Sequence, residues 1–402
     1  MVRCRDSWGF HRTVDFSWPP GRLGCRKAEQ IRQIEQKMIR SSRAPFRVAR
    51  RLFLQTTGWL TTPLLPEDYL GLMNPLWSVR ELRGRVEAVR RETADAATLV
   101  IRPGWGWTGH LPGQYVRVGV EIGGVLHWRT YSLTSPAGRQ AGHISITVKA
   151  IPGGRVSRHL VYRTTPGTLL RLGVAQGEFV LTDPVPPRLL FWTAGSGITP
   201  VMGMLRTLAA RGAMPDVVLV HSAPTPQDVI FGAELRDLAR RFATLRLYEH
   251  YTRAPGSRGR LSVARVPELC PDWRERAAWA CGPAGMLDEV ERHWAGAGIA
   301  DRLRVERFRP AVAATDGGGG RVRFTKTGRE VDADGATPLL ILGENAGVAM
   351  PSGCRMGICF GCVAPLRYGQ VRDLRTGQVH GEEGDLVQTC VSAAAGPVEI
   401  EL

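Results

Sequence analysis

The 402-residue chain has no uninterrupted apolar run approaching the roughly 20 residues that a membrane-spanning helix needs, so no spanning helix is expected. Its first residues lack an apolar stretch ending in a small-residue cleavage site, which argues against a secretory signal. Cysteine is sparse outside one short region. Cys4, Cys25, Cys270 and Cys281 are scattered without a disulfide framework, and a reduced, cytoplasmic setting is the expectation. No zinc-finger, RRM or KH pattern accompanies the net charge of +16, so no nucleic-acid partner is expected. There is no internal repeat.

The charge is concentrated at one end, since residues 1–80 carry 14 Lys/Arg against 6 Asp/Glu. Attraction to an anionic membrane or an acidic partner fits this distribution, and so does an Arg-rich coding bias. Residues 1–37 lack clean periodicity and read as an untranslated or disordered extension, with Met38 as the true start. Residues 38–80 form a basic leader. Within it, residues 43–54 are amphipathic, suited to peripheral contact with the inner face of the plasma membrane or to packing as an ordinary surface helix.

Hydrophobic residues at 43% allow sizeable cores, and the length predicts two to four domains. From 81 to 186, short strands separated by turns predict an antiparallel barrel. From 187 to 310, apolar strands such as Leu189–Thr193 alternate with helical patterns such as Ala284–Trp294, which predicts a doubly wound parallel sheet. Residues 311–320 end in four consecutive glycines and read as a flexible linker. Residues 321–402 form one small module with a hairpin at Thr327-Gly328, a helix near Leu339–Asn345 and a closing strand at Val398–Leu402.

The strongest chemical signal is Cys354-Arg-Met-Gly-Ile-Cys359-Phe-Gly-Cys362 followed by Cys390. A C-x4-C-x2-C…C spacing suits a plant-type [2Fe–2S] cluster, with two thiolates for each iron. Structural zinc is the rival, but its usual second C-x2-C-like pair is absent. The segment resembles the plant-type ferredoxins, through Gln388-Thr-Cys390 at the fourth ligand.

Upstream, Arg129-Thr-Tyr131-Ser132 supplies a cation, a flat ring and a donor at alternate and adjacent strand positions. Val148-Lys149 ends a strand, and Gly153-Gly154-Arg-Val156-Ser157 opens a helix whose N–H groups can hold a pyrophosphate. Thr193-Ala-Gly195-Ser-Gly197-Ile-Thr199-Pro200 follows a buried strand and opens another helix, the context that a dinucleotide loop requires. Cys281-Gly282-Pro283 and Glu306-Arg-Phe308 complete the series.

In this order the segments resemble the ferredoxin–NADP⁺ reductase superfamily. The resemblance implies a multidomain α+β chain: an FAD-binding antiparallel β-barrel, a doubly wound α/β NAD(P)-binding domain and a β-grasp ferredoxin domain. It implies that Arg129 and Ser157 hold phosphate, Tyr131 flanks the isoalloxazine and Ser132 bonds N5, with Val148, Lys149, Gly154 and Val156 also at the flavin. Thr193, Gly195, Gly197, Thr199 and Pro200 would cradle the nucleotide, while Cys281, Gly282 and Pro283 line the nicotinamide pocket. Glu306 and Phe308 would lie near the flavin; Ser132, Cys281 and Glu306 are the catalytic candidates. Pro200 stands where ordinary dinucleotide loops have their last glycine, a difference that the reductases share. One feature departs from the plant reductases, since the chain continues beyond Phe308 where they end.

The second strand ends toward Thr225 with no acid until Asp228, and the Thr252-Arg253 pair resembles the Ser-Arg that grips the 2′-phosphate in NADP-specific relatives. Thr225, Thr252 and Arg253 are therefore expected at the nucleotide, and NADPH is expected over NADH. Nicotinamide gives a hydride and a [2Fe–2S] cluster takes single electrons, so the expected order is NADPH, FAD, cluster, acceptor. The stretch Thr62-Pro-Leu-Leu-Pro-Glu-Asp-Tyr-Leu-Gly71, through Asn74-Pro-Leu-Trp77 to Arg83-Gly-Arg-Val86, looks like the leader of reductases serving membrane-bound diiron stearoyl-CoA desaturases. The expected acceptor is therefore such a desaturase, with a soluble hydroxylase or ring dioxygenase as the alternative.

Overall fold

The computed structural model describes residues 71, 73–78, 81–138, 142–257, 259–308, 318–353, 355–357 and 360–402. Residues 1–37, the leader segment 43–54, most of the 311–320 linker, Cys354 and Cys359 lie outside the described residues. No described helix is long and apolar enough to cross a membrane.

The first domain is built from β1 (Arg83–Thr93), β2 (Ala96–Pro103), β3 (Tyr115–Ile122), β4 (Val125–Ser132), β5 (Ile144–Lys149), helix α1 (Arg155–Tyr162) and β6 (Leu169–Gln176). The strands pair antiparallel in the order β4-β3-β6-β1-β2-β5. A bridge between Leu133 and Ile146 brings the two outer strands together and closes the barrel. Val86, Leu99, Val116, Val118, Leu133 and Ile146 are fully buried inside it.

The second domain contains β7 (Arg188–Ala194), α2 (Ile198–Ala210), β8 (Asp216–Ala223), α3 (Gly232–Arg241), β9 (Leu245–Tyr251), α4 (Val266–Leu269), β10 (Ala277–Cys281), α5 (Ala284–Gly296) and β11 (Leu303–Glu306). The parallel strands run in the order β11-β10-β7-β8-β9. The chain winds outward from β7 to β9 and then crosses to β10 on the other side of β7. The β7/β10 boundary is thus the topological switch point, where an open α/β sheet leaves a crevice at its strand ends. Strand β11 is one that the sequence pattern does not announce. It is four residues long with two charged side chains, and its pairing with β10 defines it.

Helix α2 fastens the two domains. The Arg206 guanidinium donates to the Thr134 carbonyl at 2.8 Å, and Thr207 Oγ1 accepts the Ala137 N–H at 2.9 Å. A methyl group on Gly203 would stand 2.4 Å from the Leu133 carbonyl oxygen, so only glycine permits this approach.

At the opposite rim, Arg276 is 1% exposed and precedes β10. It donates to Asp216 at 2.7 Å, to Asp272 at 2.8 Å and to the Leu189 carbonyl at 3.1 Å. Replacing it by methionine strands two partly hydrated carboxylates and a buried carbonyl. The expected loss is about 2–4 kcal/mol, below that of a wholly buried pair, and urea unfolding will measure it.

The C-terminal module comprises β12 (Arg321–Phe324), β13 (Arg329–Asp332), α6 (Leu339–Asn345), β14 (Val363–Tyr368), β15 (Val371–Asp373), β16 (Val379–His380), β17 (Leu386–Gln388), β18 (Ser392–Ala394) and β19 (Val398–Ile400). Its larger sheet runs β13-β12-β19-β14-β17, with β12 and β19 parallel, and β16-β15-β18 form a second sheet. One expectation needs correcting here. Gly319 and Gly320 are not free spacer: added methyl groups would meet the Ala333 carbonyl oxygen at 1.7 Å and the Gly396 carbonyl carbon at 2.2 Å. The Gly320 carbonyl also accepts the Ala333 N–H. These glycines are a close backbone seam that belongs to the module.

Candidate functional site

Strand β4 stands at one end of the barrel's strand order, and its alternation places His127, Arg129 and Tyr131 on one face. Arg129 donates to the Trp128 carbonyl at 2.7 Å. Burial pushes the Tyr131 hydroxyl well above its usual range, against the pull of Arg129. Ser132 is buried, and its Oγ has no partner. An unsatisfied buried hydroxyl is costly and suits a group that meets a ligand there.

Helix α1 begins at an uncapped Gly154, leaving its first-turn N–H groups free of side-chain partners. A methyl group on Gly154 would stand 2.4 Å from Ser157 Oγ, which accepts the Ile151 N–H at 3.3 Å. Val148 and Val156 point into the barrel core, so only their backbone can face a cofactor. Lys149 is engaged elsewhere, its ammonium lying 2.8 Å from Asp95.

Two residues absent from the sequence reading join this face. His127 is pushed down first by burial and then by the charges of Arg155, Arg129 and Arg355, and its Nε2 is buried without a partner. Arg155 follows Gly154 directly, so its position in the helix-opening loop was the available clue. His127 gave none beyond its phase with Arg129.

In the second domain, Gly195 adopts φ +55° and Gly197 caps α2 without a side-chain bond. The Gly195–Gly197 turn and Cys281-Gly282 meet backbone to backbone at the switch point. Thr199 Oγ1 donates to the Ser196 carbonyl at 2.9 Å and Pro200 is buried in the first turn of α2, so both shape the loop. Thr193 points into the domain, its Oγ1 sharing a 2.8 Å hydrogen bond with His221 Nδ1. It supports the loop from below. Thr252 and Arg253 donate their N–H groups to the Ala223 and Pro224 carbonyls, which sets their loop beside Thr225. Thr225 Oγ1 donates to Asp228 at 2.7 Å, and Arg253 is exposed.

Cys281 and Glu306 pair across β10 and β11. Cys281 is fully buried, and burial followed by the Glu306 charge pushes its thiol far up, so it offers packing rather than a thiolate. Glu306 is pushed up to about 8 by burial, and its Oε2 lacks a partner. Phe308 packs against the same core. Between about 4.5 and 8 the folded protein holds a proton on Glu306 that the unfolded chain has released. Stability therefore falls as pH rises through that window, and E306Q removes this component. Thermal midpoints measured from about pH 5 to about pH 9 will show a shallower decline in the variant.

In the C-terminal module, Cys362 and Cys390 are buried together. Hydrogen bonding from Cys390 holds the Cys362 thiol below the ordinary range, against burial, which favours the thiolate form that soft metals take. The Gly357 carbonyl, in the loop between Cys354 and Cys359, accepts from Arg375 at 3.2 Å and Gln388 at 3.1 Å. Thr389 Oγ1 donates to the Cys362 carbonyl at 2.8 Å. Arg355 and Phe360 hold left-handed backbone at φ +61° and +52°, a strain of about 1–3 kcal/mol each that such loops tolerate for function. Thr130 Oγ1 donates to Met356 Sδ at 3.3 Å, so the cysteine loop lies against β4. The unsatisfied Ser132 and His127 atoms, the uncapped α1 and the low Cys362 thiol fit a flavin on β4 and a cluster beside it.

Comparison with known proteins agrees. Residues 104–181 match the oxidoreductase FAD-binding domain family, 191–292 the oxidoreductase NAD-binding domain family and 322–395 the 2Fe-2S iron-sulfur cluster binding domain family. An NADPH oxidoreductase of Mycobacterium tuberculosis is 55% identical over 346 residues, 85% of this chain and 90% of that protein. A glycine betaine monooxygenase reductase subunit of Pseudomonas aeruginosa is 31% identical over 276 residues, 62% of this chain and 75% of the subunit. Among solved structures, phthalate dioxygenase reductase shares the fold with a TM-score of 0.58 at 22% identity, across 80% of this chain and 98% of that one. FAD, a nicotinamide nucleotide and a [2Fe–2S] cluster are thus its cofactors, and the chain belongs to the ferredoxin–NADP⁺ reductase-like oxidoreductases that join FAD-binding, NAD-binding and [2Fe–2S] domains.

Proposed function

We propose that the chain is the NADPH-oxidising electron-transfer component of an oxygenase system. The observation that carries this reading is the Thr130–Met356 contact, which sets the cysteine loop against the strand of Arg129, Tyr131 and Ser132. Flavin, when bound, supplies the exchange between two-electron and one-electron chemistry. Arg129, Ser157 and the open start of α1 would hold its phosphates, Tyr131 would flank its ring and Ser132 would donate to the ring edge. The Gly195–Gly197 turn would take the nucleotide pyrophosphate, and Gly282 with Pro283 would border the nicotinamide. Glu306 would hold a proton beside them. Cys354, Cys359, Cys362 and Cys390 would ligate the cluster.

NADPH is favoured over NADH by Arg253, an exposed cation beside Thr225, and by the name of the 55%-identical relative. An oxygenase acceptor is supported by relatives named as monooxygenase and dioxygenase reductases. This reading replaces the desaturase as the preferred acceptor. The desaturase remains the second reading, favoured by the Thr62–Val86 leader pattern alone.

Reconstitution with candidate oxygenases and with a membrane desaturase, following NADPH consumption coupled to product, tests the assignment. Coupling to the desaturase alone overturns the oxygenase reading. Failure to reduce cytochrome c with NADPH overturns both.

A further inference from the structure

Cations from two domains converge where the cysteine loop meets the barrel. Arg129 and His127 come from β4, and Arg155 comes from the start of α1. Arg355 comes from the cysteine loop itself, one residue before the Met356 that accepts from Thr130. Both Arg129 and His127 feel the Arg355 charge as a neighbour, and both feel Glu344 with the opposite sign. Glu344, on α6, forms an ion pair with Arg355. It is the one carboxylate among these groups.

Two nitrogen atoms in the cluster are buried without a partner, His127 Nε2 and Arg355 Nε. Buried polar nitrogens without partners are expensive, and the three guanidiniums near the imidazole repel one another. One carboxylate does not balance them. This donor set suits an anion with several acceptor oxygens, which is the chemistry of a phosphate.

We infer that Arg355 reaches across from the iron–sulfur module to complete the flavin phosphate site, so that flavin binding and docking of the module onto the barrel stabilise each other. This rests on the proposed placement of the flavin phosphates at Arg129. A group that binds two domains at once strengthens their contact by as much as the contact strengthens its own binding. The flavin then acts as the electrostatic link that draws the cluster loop against β4, and loss of flavin leaves the loop facing an uncompensated positive patch.

The test uses the holoenzyme, diluted to release FAD and read by the recovery of flavin fluorescence. R355Q is expected to raise the FAD dissociation constant about tenfold, with R355K restoring much of it, the scale of one charge-assisted bond. The wild type should also lose affinity more steeply with added salt than R355Q does. In the wild type, FAD should slow amide exchange in residues 339–345, and in R355Q it should not. Cluster content, read by absorbance and EPR, shows that the module is folded. Should R355Q lose its cluster, E344Q decides: freeing Arg355 from its carboxylate lowers the FAD dissociation constant if the inference holds, and an unchanged constant overturns it. Wild-type FAD affinity in a cluster-loaded R355Q overturns it as well. R129Q separates the two failures. If R129Q weakens FAD and R355Q does not, only the cross-domain role falls; if neither does, the phosphate placement falls with it.

Discussion

C390S will give a yellow protein whose flavin NADPH still reduces but which no longer passes electrons to cytochrome c. Cys390 is 5% exposed and packs with Cys362, Leu340 and Val391, apart from the cores of the barrel and the nucleotide domain. The preceding Thr389 is fixed at both ends, donating to the Cys362 carbonyl and accepting from the Leu340 N–H. The position proposed for the fourth ligand is therefore held in place and cannot shift to recruit another thiolate. Serine offers a hard oxygen where iron–sulfur clusters take soft sulfur. Cytochrome c reduction should fall about a hundredfold or more, while ferricyanide, which can be reduced at the flavin, stays within about twofold. A brown variant with intact cytochrome c reduction would remove Cys390 from the ligand set.

Gly197→Ala should separate the opposite step. The added methyl would lie 2.1 Å from the Cys281 carbonyl oxygen, 2.4 Å from its carbon and 2.8 Å from the Gly282 nitrogen. None of these is a flexible side chain that can swing away. Cys281 ends β10, which is paired on both sides with β7 and β11, so its carbonyl is held by the sheet. The two loops must separate, and the crevice at the switch point changes shape where, on the proposed reading, hydride donor and flavin align. A displacement near 1 Å is enough to lower hydride transfer about a hundredfold. Anaerobic stopped-flow should show slow flavin reduction by NADPH, while dithionite reduces flavin and cluster as in the wild type. Unchanged NADPH kinetics would show that the contact has no part in aligning the nucleotide.

The elements most legible from sequence were those with a strong local signature. Buried parallel strands such as Leu189–Thr193 read as apolar runs, and Ala284–Trp294 announced a helix that the structure extends by one turn at most. Strands β15 to β18 are two or three residues long and gain their identity from pairing across the module, which no local pattern encodes. The candidate site divides in the same way. Arg129, Ser132 and the cysteine spacing stood out because their chemistry is local. Lys149 and Thr193 looked available in sequence, yet Asp95 and His221, 54 and 28 residues away, occupy them. Gly319 and Gly320 looked like spacer because a glycine run has no side chains to reveal what lies beside it. His127 and Arg355 join one cluster only through folding, with the barrel strand and the cysteine loop more than two hundred residues apart.

Arg276 and its carboxylates occupy the rim where the parallel strands begin, whereas the loops after β7, β8, β9 and β10 leave from the far rim. The cohesion of the sheet and the loops proposed to choose its dinucleotide thereby lie at opposite poles. On the proposed reading, exchanges around Thr225 and Arg253 would trade one electron donor for another without loosening the anchor that keeps the strands in register.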